Sequence, residues 1–74
     1  MDFEKALIAL KLGHRVARAG WNGKGMFVFL TEAWHAGDIA GRPFVAMKTA
    51  QGDLVPWLCS QTDMLAEDWT FVAP

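Results

Sequence analysis

The stretch "ARAGWNGKGMFVFL", Ala17 to Leu30, decides how this chain is built. Its first half sets Gly20, Gly23 and Gly25 around one tryptophan, Trp21, and its second half is almost wholly apolar. Asn22-Gly23 is the strongest short turn signal in the chain, because both residues tolerate positive φ. Met26 to Thr31 then reads as a strand that is apolar on both faces. An antiparallel strand with one wet face would alternate, so this pattern predicts cover on both sides: a helix on one, a second subunit or a ligand on the other. "RVAR", Arg15 to Arg18, is a short strand leading into the turn.

Working outward, Asp2 followed by Phe3, Ala6, Leu7 and Leu10 has the spacing of an amphipathic helix with an acidic N-cap. The pattern predicts a helix over 3–12, ended by Gly13 in a left-handed conformation. On the other side, residues 32–42 ("EAWHAGDIAGR") lack a clear period and read as a loop. Phe44 to Thr49 is a strand, and "AQGD" turns it into Leu54 and Val55. Pro56 has no N–H for a ladder, which makes that strand an edge or ends it. "SQTD", Ser60 to Asp63, has the form of a capping box opening a short helix over Gln61 to Glu67. Trp69 to Val72 closes the chain as a strand with Trp69 and Phe71 on one face. The fold class is therefore α+β: an N-terminal helix on a small antiparallel sheet, with a short second helix before the last strand.

The composition sets a difficulty for a chain of this length. At 74 residues, with 53% hydrophobic and 20% charged residues, it is an ordered single domain, 1–74. It also carries four Trp, five Phe and four Met, more apolar surface than so small a domain can hide. That excess predicts a homo-oligomer. A net charge of −1 argues against long nucleic acids, whose binding rests on a basic face. The charges are segregated: between Glu4 and Glu32 all are positive, Lys11, Arg15, Arg18 and Lys24 among them, and after Lys48 all are negative, Asp53, Asp63, Glu67 and Asp68. Complementary surfaces within one fold would explain this, as would a local basic patch for one or two phosphates.

Catalytic and metal chemistry find little footing. His14 and His35 have no His or Cys at metal-ligand spacing, and Cys59 stands alone in an apolar context, where it reads as a small hydrophobe. No Gly-rich phosphate cradle is present, since "GWNGKG" lacks the required spacing. The expectation is a protein without enzymatic activity, cofactor or metal. With no leader or membrane-length apolar run and one cysteine, the expected setting is a reducing cytoplasm, with no membrane partner.

"MDFEKALIALKLGHRVARAGWNGKGMFVFL" and "MKTAQGDLVPWLCSQTDMLAEDW" together resemble a family of small phage and prophage proteins, the Thoeris anti-defence proteins of the second type. The resemblance covers Met1–Leu30 and Arg42–Phe71, and its signatures "ARAGWNGKGM", "RPFVAMKTAQGDLVPW" and "SQTDMLAEDW" are specific in combination. It implies a cytoplasmic sponge of the infected or lysogenic host, a homotetramer that binds glycocyclic ADP-ribose without degrading it. It also implies cyclic dinucleotides as further ligands and pockets at subunit boundaries. The alternative is a small phage interaction module that docks a protein and has no nucleotide ligand.

Carried over position by position, the resemblance implies a ligand site drawn from four segments. Trp21, Asn22 and Gly23 match "GWNG", whose aromatic suits stacking on an adenine. Met26 and Phe27 match the apolar start of the next strand. Arg42 and Pro43 match an "RP" pair in which Arg could grip a pyrophosphate in a fork geometry. Gln61, Thr62 and Asp63 match "SQTD", where helix-start N–H groups could meet an anion and a side chain could bond a ribose hydroxyl. Turn geometry, helix capping and core packing explain most of these residues as well, and Trp21 stands between core and pocket. Relatives in this family carry a longer segment before the "RP" pair, whereas only Thr31 to Gly41 intervene here, with Trp34 placed to substitute for part of it.

Overall fold

The computed structural model describes residues 1–74. Helix α1 (Phe3–Lys11) opens on Asp2, whose carboxylate accepts the Lys5 N–H at 3.0 Å. It ends where Gly13 takes φ 92°, a conformation that costs a residue with a Cβ. The buried side chains of α1 are Ala6, Ala9 and Leu10, two small residues that let the helix lie close to the sheet beneath.

Seven strands follow: β1 (Arg15–Arg18), β2 (Phe27–Leu30), β3 (Trp34–Ala36), β4 (Ile39–Gly41), β5 (Val45–Lys48), β6 (Leu54–Pro56) and β7 (Trp69–Val72). Helix α2 (Gln61–Met64) lies between β6 and β7. Five strands form one antiparallel sheet in the order β6-β5-β2-β1-β7, and β3 with β4 makes a separate hairpin. This is the α+β fold that the periodicity predicts. Pro56 sits on the edge strand β6, as its missing N–H requires. No helix is long and apolar enough to cross a membrane.

Register assigns the two faces. Val16 pairs with Val28, and Arg18 pairs with Trp69, so these four side chains share the face that α1 covers. Val16, Val28, Trp69 and Leu10 are the large residues that are fully hidden. Only nine of 74 residues are buried, so much apolar surface stays open: Leu12 is 73% exposed, Leu58 91% and Leu65 76%.

Three sequence expectations need correction. Asn22 and Gly23 do not form a positive-φ turn, for no residue other than glycine has positive φ and in this connection only Gly25 does. The connection runs over residues 19–26, too long for a two-residue hairpin. A Cβ at Gly23 would stand 3.0 Å from Ala50 Cβ and would make the flexible Met26 side chain shift. Residues 32–42 are not a plain loop but hold the β3–β4 hairpin, turned at Gly37-Asp38 with positive φ at Gly37 alone, as in a type II′ turn. The second helix stops at Met64 and not at Glu67, because the chain must leave it to bring Asp68 and Trp69 to β1. Apart from these corrections, the outer face of β2 is covered in part by the chain itself: Arg15 lies 4.6 Å and Lys48 5.7 Å from the Phe27 ring centre. The strand's two apolar faces therefore do not by themselves require a second subunit.

Leu10 is 1% exposed and contacts the buried faces of β1 and β2. Leu10→Ala is expected to lower unfolding stability by about 2–5 kcal/mol, read from urea melts with an unchanged slope. A loss below about 1 kcal/mol would remove Leu10 from the core as described.

Candidate functional site

Arg18, the last residue of β1, joins segments that are far apart in sequence. Its Nε donates to Asp68 Oδ1 at 2.8 Å and its Nη1 donates to Asp63 Oδ1 at 2.9 Å. Asp68 Oδ2 in turn accepts the Gly20 N–H at 2.8 Å, and the Trp21 Nε1–H donates to Asp63 Oδ1 at 3.1 Å. Gly20 permits this approach, because a Cβ there would stand 3.0 Å from Asp68 Oδ2. Ser60 caps α2 by accepting the Asp63 N–H, which sets the carboxylate of Asp63 toward β1. The segregated charges of the sequence thus meet within one fold at Arg18, while Lys11, Arg15 and Lys24 have no acidic partner.

The electrostatics follow from these contacts. Partial burial pushes Asp63 up, but the hydrogen bonds from Arg18 and Trp21, with the Ser60 hydroxyl close by, outweigh it and hold the carboxyl below its ordinary 3.8. Asp68 is also held below 3.8, first by Arg18 and then, against some desolvation, by the Gly20 N–H. The same bonds, that to Asp68 before that to Asp63, raise Arg18. Cys59 is pushed up by burial and then by the charge of Asp63, which disfavours its thiolate. No cluster of three or more His, Cys, Asp or Glu is placed to hold a metal ion.

Trp21 packs against the aromatic core and lines no cavity of the chain. Its ring meets Trp69 edge-on at 5.4 Å and Trp57 at 6.4 Å, and Phe3 packs against the same two indoles. It nevertheless stays partly exposed, beside an Asp63 whose Oδ2 makes no hydrogen bond within the chain. Aromatic surface next to a free, ionised acceptor is an arrangement that can hold a ring and a hydroxyl.

The other predicted residues are distributed unevenly around this pair. Gln61 and Thr62 are exposed on α2 beside Asp63, Asn22 is exposed, and Gly23 and Met26 pack on each other. Phe27 points to the opposite face of the sheet from Trp69 and Trp21. Arg42 and Pro43 are exposed in the connection from β4 to β5, at the end of the sheet marked by Leu30 and Val45, whereas the Trp21 connection leaves from Arg18 and Phe27. About 10 Å of strand separates the two ends.

A second feature lies beside Arg42. Thr31, Glu32, Trp34 and Phe44 line an open, mainly apolar cavity of about 320 Å³. Trp34 lies over Gly41, donates its Nε1–H to the Arg42 carbonyl at 3.0 Å and meets Phe44 edge-on at 6.3 Å. Sequence reasoning did not single out Phe44, Arg18 or Asp68 as site residues. The opposed charge runs were the available signal for Arg18 and Asp68. For the cavity it was Gly37-Asp38, a two-residue hairpin dipeptide.

Comparison with known proteins bears on this geometry as a whole. The profile of the Thoeris anti-defense 2-like domain matches residues 1–72, all four predicted segments and the Arg18 cluster included. The chain belongs to this family. A curated relative, Thoeris anti-defense 2 of Bacillus phage SP01, is 40% identical over 85 residues, covering 99% of this chain and 96% of the relative. Membership in the Thoeris anti-defense 2-like family supports a phage anti-defence role.

The carboxylates of the Arg18 cluster give a pH dependence with a definite sign. Both have folded values below the ordinary 3.8, so their contribution is complete above that value and is lost as pH falls through the lower folded values. The melting temperature is expected to drop below about pH 4, and less steeply in Asp68→Asn, measured by circular dichroism across the acid range. Identical acid slopes for the two proteins would show that Asp68 is not linked to folding.

Proposed function

We propose that the chain is a sponge: it binds a cyclic nucleotide immune signal of the glycocyclic ADP-ribose type and withholds it without chemical change. The observation that carries this reading is the family match across residues 1–72. The relative's name states an action against Thoeris, and sequestering a small signal needs a binding site and no catalytic machinery. In this reading Trp21 supplies an aromatic wall and Asp63 Oδ2 accepts a ribose hydroxyl. Asn22, Gly23 and Met26 shape the approach, with Gln61 and Thr62 at the rim. Arg42, beside Pro43, holds a pyrophosphate.

The distribution of these residues supports a pocket shared between copies. Arg42 and Trp21 leave opposite ends of one sheet, so a compact ligand that touches both would draw them from two chains. The exposed Leu12, Leu58 and Leu65 supply apolar surface for such an assembly, with a homotetramer as the proposed state. The same surface favours the second reading, a module that docks a host or phage protein and takes no nucleotide. Cytoplasmic action in the bacterial host follows from the first reading, because the signal it would bind is made there.

Thermal shift and calorimetry with glycocyclic ADP-ribose isomers and a panel of cyclic dinucleotides separate the two readings. A ligand of the folded state raises stability by RT ln(1 + [L]/Kd), so the sponge is expected to melt higher with at least one of them. Ligand recovered by heating the complex should have an unchanged mass; an altered mass would make the protein an enzyme. No shift at saturation, with a monomer by light scattering, would favour the docking module. Trp21→Ala is expected to cost at least about tenfold in affinity, in keeping with a lost stacking partner. Arg42→Ala is expected to weaken binding more at low salt than at high salt. Equal loss at all salt concentrations would take Arg42 off the phosphate.

A further inference from the structure

We infer that Arg18 is a positioning residue for ligand capture, an inference that rests on the sponge reading above. Neither its identity nor its place in β1 makes Arg18 a ligand contact, and its guanidinium is engaged within the chain. What it does is convert two separate segments into one surface. Through Nη1 it holds Asp63 on α2, and through Nε it holds Asp68 at the start of β7. Those carboxylates then anchor the loop over residues 19–26 at two consecutive residues, Gly20 by its backbone N–H and Trp21 by its indole N–H.

The division of labour between the oxygens of Asp63 carries the argument. Oδ1 accepts from both Arg18 and Trp21, while Oδ2 accepts from nothing in the chain. A carboxylate held by two donors on one oxygen has its plane and its charge fixed, so the second oxygen is presented beside the indole in one orientation. The Asp63 side chain is 16% exposed and that of Arg18 is 18%, enough for solvent contact but too little for free rotation. The loop itself has few other restraints: the Trp21 N–H donates back to Arg18 at 3.2 Å, the Ala19 N–H to Asp68 at 3.0 Å, and Lys48 Nζ donates to the Gly25 carbonyl at 3.1 Å. Lys in place of Arg18 would keep the charge but lose the fork that reaches two carboxylates at once.

Four proteins test this: wild type, Arg18→Lys, Asp68→Ala and Leu10→Ala as a control for general loss of stability. Affinity for the glycocyclic ADP-ribose isomer bound best by wild type is measured by calorimetry, and amide exchange is followed for residues 19–26 and for α1. Arg18→Lys is expected to raise Kd by about tenfold or more, the scale of one lost charge-assisted hydrogen bond. It is also expected to speed exchange in 19–26 by a similar factor while α1 keeps its protection, and to weaken the downfield indole N–H signal of Trp21. Leu10→Ala, which is structural only, should speed exchange in α1 and leave Kd within about twofold at a temperature where it is folded.

If Arg18→Lys loses protection in α1 as well, Asp68→Ala decides, because it leaves the Arg18–Asp63 bond in place and releases the Gly20 tether together with the Arg18–Asp68 bonds. Weaker binding with a loosened loop supports the inference, and unchanged binding overturns it. Wild-type affinity retained in a folded Arg18→Lys overturns it as well, while the sponge reading stands. Failure of wild type to bind any of the nucleotides overturns the sponge reading and the positioning role together.

Discussion

In a chain that hides only nine residues, the burial of one indole is the constraint that the other elements must meet. Trp69 is 1% exposed, and its Nε1–H, which cannot be left unpaired in an apolar surrounding, donates to the Asp63 carbonyl at 3.0 Å. Its ring is enclosed by Phe3 from α1, Trp21 from the glycine-rich connection and Trp57 from the segment after β6. Its backbone exchanges two hydrogen bonds with Met1. Three stretches of sequence with no local reason to meet are therefore gathered around one side chain. The polar cluster of Arg18, Asp63 and Asp68 forms at the rim of that aromatic core, where charges remain in contact with water.

This arrangement explains how one tryptophan both packs on the core and stays partly exposed. Trp21 is needed to close the core, and it is kept from sinking into it by the hydrogen bond to Asp63. A partly exposed indole is better held by a fixed acceptor than by packing alone, because apolar contacts alone would favour fuller burial. The cation–π contacts on the opposite face act similarly, since Arg15 and Lys48 shield Phe27 while keeping their charges in solvent.

Helix α1, the strand at Arg15, the edge at Pro56 and the cap at Ser60 were legible in the sequence, because each rests on chemistry within a few residues. The β3–β4 hairpin was not, since three-residue strands that are almost wholly exposed carry no hydrophobic alternation. The length of α2 was overestimated because its end is set by where Trp69 must go, which is a tertiary demand. Asn22-Gly23 misled for a similar reason: Asp63 and Asp68 pin the connection from outside, so its own turn preference did not decide its shape. At the site, Trp21 and Asp63 were each picked out by family resemblance, but their hydrogen bond spans 42 positions and no spacing rule could join them. Charge segregation hinted at Arg18, and only the register of β1 against β7 turned the hint into a contact.

The hairpin has a further consequence. Its base is closed by two hydrogen bonds between Thr31 and Phe44, at 2.8 and 2.9 Å, just beyond the last pair of β2 and β5. Everything distal to that closure forms a sheet of its own. Residues can be added or removed there without shifting a single pairing in the five-stranded sheet, and lengthening a closed loop costs little in chain entropy. The relative from Bacillus phage SP01 aligns over 85 residues against the 74 of this chain, so length has changed between the two. A scaffold with one insulated appendage lets the reach and shape of a cavity wall diverge quickly while the core stays under strict constraint.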